Sequence, residues 1–412
     1  MNILVVVGTC LRQNSSANLC HISYINGLLD LGHSVDLVSV DEKDWKIDKG
    51  IIFPSVDNSY TYYGLSLYEQ ISLKKSKAIA SNSTVDDGVK TKKQRKSVKQ
   101  MLFSVADKVK KIWWYSYGPY CTNKVWSNRA SKFKSDKNYD FVISLAFPAA
   151  SHRTVKKMIA KKNISYSKWI QIWEDPWSSD LLYYNGKFKM IENEERRVIR
   201  NADKIVYVSP ITLENQKKLF PDSADKMTWF PLPSYYSSIN ENIDIYGKKN
   251  YGYFGDYVSH IRNLEPFYQC AVKKNINLNI CGSTDLKVES IGNTSIYPRL
   301  TLDKLKPIED ETNVLVFVCN LRGGQIPGKI YQYAATNKVV LFILDGTEEE
   351  KKILRGFFEK YNRFIFCENN EESICNAIDK IENNDFGGVV NQPLDCFKAT
   401  DIIQNILDSV KE

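Results

Sequence analysis

Short apolar runs recur along the whole chain, separated by stretches whose apolar positions fall three and four residues apart. The runs include Ile3–Val7, Val35–Val40, Asp140–Leu145, Trp169–Trp173 and Lys204–Val208 in the first half. Tyr251–Phe254, Ile276–Ile280, Val314–Val318, Val339–Leu344 and Phe364–Phe366 follow in the second. Runs this short, bounded by turn residues, predict strands buried on both faces. The intervening segments, such as Ala17–Leu31 and Ile191–Asn201, predict helices. Strand and helix patterns in alternation argue for parallel sheets, hence an α/β fold. The alternation breaks at Phe230-Pro231-Leu232-Pro233, where a polar, Asn/Ser-rich stretch runs on to Lys249. A chain of 412 residues also exceeds one ordinary core. The expected organisation is therefore a Rossmann-like domain over 1–235, a second over 248–385, and a tail, 386–412, ending in a helix.

The densest local signal is Gly323 to Gly346, GGQIPGKIYQYAATNKVVLFILDG. A buried strand leads into a Gly-Gly turn, then a helix opens at Ile326-Pro327-Gly328-Lys329, then a second strand begins at Val339. Pro327 suits a first helical turn, where its missing N–H has no partner to lose. Gly328 lets a ligand approach the backbone. A helix start at the carboxyl edge of a parallel sheet attracts a diphosphate through free N–H groups, and Lys329 adds a full charge.

Composition narrows the class. Hydrophobic residues make up 43% and charged residues 25%, values typical of a globular protein. No apolar run approaches the ~20 residues needed to span a bilayer, and the N-terminus reads as a buried strand rather than a signal peptide. Nine cysteines without a CxxC pair fit a reducing cytoplasm. Only Gly8 stands where a dinucleotide fold would carry GxGxxG, so NAD and FAD are poor candidates. No cluster with metal-ligand spacing is present, and no metal or other cofactor is expected.

Net charge is +8, but its placement matters more. Lys74 to Lys137 holds 17 Lys/Arg against 4 Asp/Glu, an excess of 13 that leaves the rest of the chain at −5. Trp113, Trp114, Tyr115, Tyr117, Tyr120 and Trp126 lie in the same stretch. Cations interleaved with amphipathic rings suit an anionic membrane surface. A solvated insertion over about 45–137 reads the polar part, Ser81–Lys99, equally well. Nucleic acid would meet the same charges, but no nucleic-acid module is recognisable, so none is expected as a partner.

Strand ends supply the other candidates, because open α/β sheets place their sites at the carboxyl edge. The first strand delivers Gly8 and Thr9, later ones His152 and the pair Glu174-Asp175. Glu174 and Asp175 are neighbours on an extended segment and so point opposite ways.

Ile326-Pro327-Gly328-Lys329-Ile330-Tyr331-Gln332-Tyr333 resembles the donor-binding segment of GT-B glycosyltransferases, especially retaining glycosyltransferase family 4. LLDLGHSVDLVSV and EERRVIRNADKIVYVS resemble pieces of the same family's acceptor domain. The resemblance implies a GT-B fold, two Rossmann-like domains facing each other across a cleft, with the last helix crossing back to the first domain. It also implies that Gln325, Ile326, Pro327, Gly328, Lys329, Ile330 and Gln332 bind the donor, with Gln332 where a glutamate commonly holds the ribose. Gly324 stands eight residues earlier, where many relatives have an acid. Gly255-Asp256-Tyr257-Val258-Ser259-His260-Ile261-Arg262 looks like the glycine turn of the donor domain, where relatives place two cations six residues apart. Arg262 takes the second place and Asp256 the first, so one cation is missing or supplied from elsewhere.

In such an enzyme Arg262 and Lys329 would stabilise the leaving diphosphate. His152 would contact the transferred sugar, and Asp175 would face the acceptor hydroxyl, with Glu174 as its rival. Gly8 and Thr9 would line the acceptor side. The expected function is transfer of a sugar from a nucleoside-diphosphate sugar to a glycan or lipid-linked glycan in bacterial surface polysaccharide synthesis, with retention. Its expected place is the inner face of the cytoplasmic membrane. A nucleotide-sugar epimerase and a non-catalytic scaffold of the same fold are the alternatives; Gln332, Gly324 and Asp256 favour the scaffold.

Overall fold

The computed structural model describes residues 1–67, 69–73, 118–179, 188–235, 243–322 and 324–410. Most of the basic stretch, residues 74–117 with Trp113, Trp114, Tyr115 and Tyr117, lies outside them, as does Gly323.

The first half runs β1 (Asn2–Val7), α1 (Ser16–Asp30), β2 (Ser34–Val40), β3 (Asn58–Tyr62), α2 (Asn123–Ala130), β4 (Asn138–Ala146) and α3 (Ala150–Ala160). It continues with β5 (Ser165–Trp173), α4 (Phe188–Ile199), β6 (Lys204–Tyr207), α5 (Pro210–Leu219) and β7 (Met227–Trp229). Its strands form one parallel sheet in the order β3-β2-β1-β4-β5-β6-β7. The second half comprises β8 (Asn250–Phe254), α6 (Glu265–Lys274), β9 (Asn277–Cys281), β10 (Thr294–Tyr297), α7 (Leu302–Glu311) and β11 (Val314–Val318). After these come α8 (Lys329–Ala334), β12 (Val339–Leu344), α9 (Glu348–Glu359), β13 (Ile365–Glu368), α10 (Glu371–Glu382) and α11 (Ala399–Asp408). The second sheet is parallel in the order β10-β9-β8-β11-β12-β13. Strand order reverses between β1 and β4 in one sheet and between β8 and β11 in the other, the places where such sheets open a crevice.

Local chemistry sets the helix ends. Ser15 caps α1 by accepting the Asn18 N–H, Ser209 caps α5 ahead of Pro210, and Thr347 and Glu350 form a reciprocal box on α9. Strands β11 and β12 are apolar at every position because both faces are covered. Edge strand β3, Asn-Ser-Tyr-Thr-Tyr, has no apolar run and is largely exposed, which is why its sequence reads as insertion rather than sheet.

Two aromatics of the basic stretch sit elsewhere than a membrane-facing reading requires. Trp126 and Tyr120 are buried in the first half, where the Trp126 indole donates to the Ser39 carbonyl at 3.3 Å. The core needed their apolar area more than an interface did.

One apolar core joins the halves. Helix α11 packs on α1 and buries Ile402, Ile403, Ile406 and Leu407 in the same cluster as Ile22 and Ile25. At about 1.5–3 kcal/mol per buried aliphatic side chain, these four contribute several kcal/mol. The outgoing and returning segments touch: the Ser234 N–H and hydroxyl both donate to the Phe397 carbonyl, at 2.8 and 3.0 Å.

Candidate functional site

The carboxyl edges of both sheets converge on one cleft of about 540 Å³. From the first half come the start of α1 and the pair after β5, Glu174 and Asp175. From the second come Gly255 and Arg262 after β8, Arg299 after β10, Asn320 after β11, and Gln325 to Lys329 leading into α8.

The segment before α8 lines the cleft as the strand–turn–helix pattern implies. Pro327 precedes the N-cap, Gly328, rather than occupying the first turn, and the helix has only six residues. So short a helix has a weak dipole, and side chains carry most of the positive charge here. Gly328 faces α1: a Cβ on it would come within 3.2 Å of Leu232 Cδ1 and 3.5 Å of Cys20 Sγ. Lys329 Nζ lies 3.8 Å from Glu309 Oε1. Ile330 is buried beneath the wall and belongs to the core. Gln332 reaches the cleft, but its side chain is engaged by the linker. Its Oε1 accepts the Tyr235 N–H at 2.7 Å and its Nε2 donates to the Pro233 carbonyl at 3.3 Å.

Arg262 is oriented by neutral oxygens. Nη1 donates to the Asp256 carbonyl at 3.1 Å, Nη2 to Asn320 Oδ1 at 2.9 Å, and buried Nε has no partner among the described residues. A guanidinium held without a carboxylate keeps its charge for a ligand.

Opposite stands Asp175, whose Oδ1 accepts a hydrogen bond from Gln325 Nε2 at 2.8 Å. Glu174 points inward, its side chain 8% exposed, with Oε1 3.2 Å from His21 Nε2. Burial pushes the Glu174 carboxyl up, and His21 partly offsets this.

Besides Ile330, three expected residues are not brought to the cleft wall. His152 is 0% exposed, with Nδ1 2.7 Å from Ser144 Oγ and its ring tilted 41° against Trp173, centroids 4.1 Å apart. Burial pushes it well below its usual range, so it stays neutral in the core. Its place on the inner face of α3, not at the loop before it, explains the difference. The Gly8 N–H donates to Ser151 Oγ at 2.9 Å and Thr9 Oγ1 to Asn18 Oδ1 at 2.6 Å. Both therefore seat the β1–α1 turn.

Sequence reasoning missed His21, Arg299 and Glu309. His21 lies on the buried face of α1, where its pattern is that of a core residue. Arg299 and Glu309 stand in or after segments with no motif around them. Two cleft thiols, Cys20 and Cys281, are pushed up by burial, Cys281 to about 12, so neither is a thiolate at neutral pH. Among the described residues no group of three or more His, Cys, Asp and Glu side chains is placed to hold a metal ion. Nor is any described helix long and apolar enough to cross a membrane.

No protein-family model matches the chain, and no curated protein matches it. Solved structures do. Sucrose-phosphate synthase from Thermosynechococcus elongatus superimposes with a TM-score of 0.57 at 11% identity, over 99% of this chain and 96% of its own. An alpha-glucosyltransferase in complex with UDP and a 13-mer DNA gives 0.56 at 11% identity over all of both chains. A UDP-N-acetylglucosamine 2-epimerase gives 0.50 at 9%, over 99% of this chain and 94% of its own. With two parallel sheets meeting edge-on at one cleft, the chain has the GT-B fold.

Proposed function

We propose that the chain is a glycosyltransferase that moves a sugar from a nucleoside diphosphate to a glycan or lipid-linked glycan acceptor. The observation that carries this reading is Arg262, held by neutral oxygens, across the cleft from Asp175. Lys329 shares the wall of Arg262, where it pairs with Glu309, and Glu174 stands beside Asp175. As the glycosidic bond breaks, negative charge grows on the departing diphosphate, where fixed cations lower the barrier. Asp175 accepts the proton of the acceptor hydroxyl, and Glu174 lines the same wall beside it. Support for the nucleotide comes from the alpha-glucosyltransferase of like fold, which is in complex with UDP.

The first test is a thermal shift with UDP, GDP, dTDP and CDP. One of them raises Tm, and Lys329→Ala abolishes the rise. No shift with any of the four sinks the reading. An epimerase of like fold supplies a second reading. It would convert a nucleotide sugar in the absence of acceptor, so analysis of the sugar released or retained separates the two. We also infer that the acceptor is presented at an anionic membrane surface, from the excess charge of Lys74–Lys137. Equal sedimentation with anionic and neutral vesicles would refute that.

A further inference from the structure

Asp256 lines the cleft next to Arg262, where a carboxylate repels a diphosphate. Its surroundings show what that carboxylate does instead. Asp256 Oδ2 lies 3.0 Å from Arg299 Nη1, and Oδ1 accepts the Ser283 N–H at 2.9 Å. Both oxygens are committed, so the carboxylate has one orientation. The loops holding it are tightly opposed: a Cβ on Gly282 would lie 2.6 Å from the Gly255 carbonyl carbon and 3.2 Å from Asp256 N. No side chain fits at 282 without moving the Gly255 carbonyl, which leads directly into Asp256.

Arg299 is 49% exposed, lines the cleft, and also donates through Nη2 to the Asn14 carbonyl of the first half at 3.2 Å. Arg262 donates to the main-chain carbonyl of the same Asp256. One residue therefore sets two guanidiniums side by side at the mouth of β8, one through its side chain and one through its backbone. Planar guanidinium forks suit phosphate oxygens, and with Lys329 the three cations outnumber the two carboxylates on that wall, Asp256 and Glu309.

We propose that Arg299 is a direct cationic contact to the diphosphate, supplied from the loop after β10, and that Asp256 is the positioning residue that aims it. This assignment rests on the nucleoside-diphosphate reading above. A strut role is the rival: Arg299 could serve only to neutralise Asp256 and tie the halves through Asn14.

Titration calorimetry with the nucleoside diphosphate that binds separates these. The proteins to compare are wild type, Lys329→Ala, Arg299→Ala, Arg299→Lys, Asp256→Asn and the double variant Asp256→Asn/Arg299→Ala. A direct contact makes the double variant bind about tenfold or more weaker than Asp256→Asn alone. Arg299→Lys restores part of the loss, since it keeps charge without the fork. Equal affinity of Asp256→Asn and the double variant overturns the proposal, because Arg299 then only masks the acid. If Lys329→Ala abolishes binding while every Arg299 variant binds as wild type, the diphosphate reading stands and this assignment falls. If wild type binds none of the four diphosphates, both fall.

Discussion

Gln325 and Asp175 meet across the cleft, the amide Nε2 of one donating to the carboxylate Oδ1 of the other at 2.8 Å. Asp175→Asn keeps size and an acceptor oxygen for Gln325 but removes the base. Transfer turnover falls about 100-fold or more, while affinity for the nucleoside diphosphate changes little. Comparing kcat with calorimetric affinity checks this. An Asn variant with wild-type turnover would remove Asp175 from the chemistry.

Gly324 stands where the resemblance implied an acid, and packing favours the glycine. Its φ is +65°, an added Cβ would lie 2.6 Å from Ile211 Cβ, and its carbonyl accepts the Ser209 hydroxyl at 2.7 Å. Gly324→Ala loses about 2–3 kcal/mol from overpacking and a left-handed backbone. Gly356→Ala is the control. It lies in α9 with open space around it, and it gains up to about 1 kcal/mol. Urea unfolding midpoints of the two variants should move in opposite directions.

Glu195 makes stability depend on pH. Buried in α4, it accepts the Ser178 N–H at 2.8 Å, and burial pushes its carboxyl up to about 7 against this hydrogen bond. The folded state thus holds the proton more tightly than the unfolded chain. The associated stability is complete below about 4.5, the ordinary value, and is lost as pH rises through about 7. Glu195→Gln keeps the acceptor without the titration. Between pH 5 and pH 8 wild type should lose on the order of 3 kcal/mol more than the variant. Denaturation midpoints at four pH values test the difference; parallel curves would mean that Glu195 ionises freely.

The doubly covered strands were readable because a strand with no solvent face has no polar positions to interrupt it. β11 and β12 therefore show as Val314–Val318 and Val339–Leu344 in the bare sequence. The cleft segment Gln325–Lys329 was readable for a related reason: its glycine, proline and lysine lie in one stretch, so their joint placement survives without coordinates. Arg299 and Glu309 reach the same cleft from other loops and helices, and nothing in their immediate neighbours marks them. His152 and His21 show the converse. Both stand near apolar positions, and only packing decided that His21 would meet Glu174 while His152 would lie against Trp173. The exposed strand β3 carried no periodic mark, since an edge strand can be polar on most of its surface.

The chain crosses between its halves twice, and at Ser234 and Phe397 the two crossings are stitched to each other. Two parallel tethers pinned side by side resist twist and lateral slip but still bend together. The molecule has in effect a spine, placed where the covers of a book meet. Arg299 with Asn14, and Gln325 with Asp175, are then clasps on the page edges.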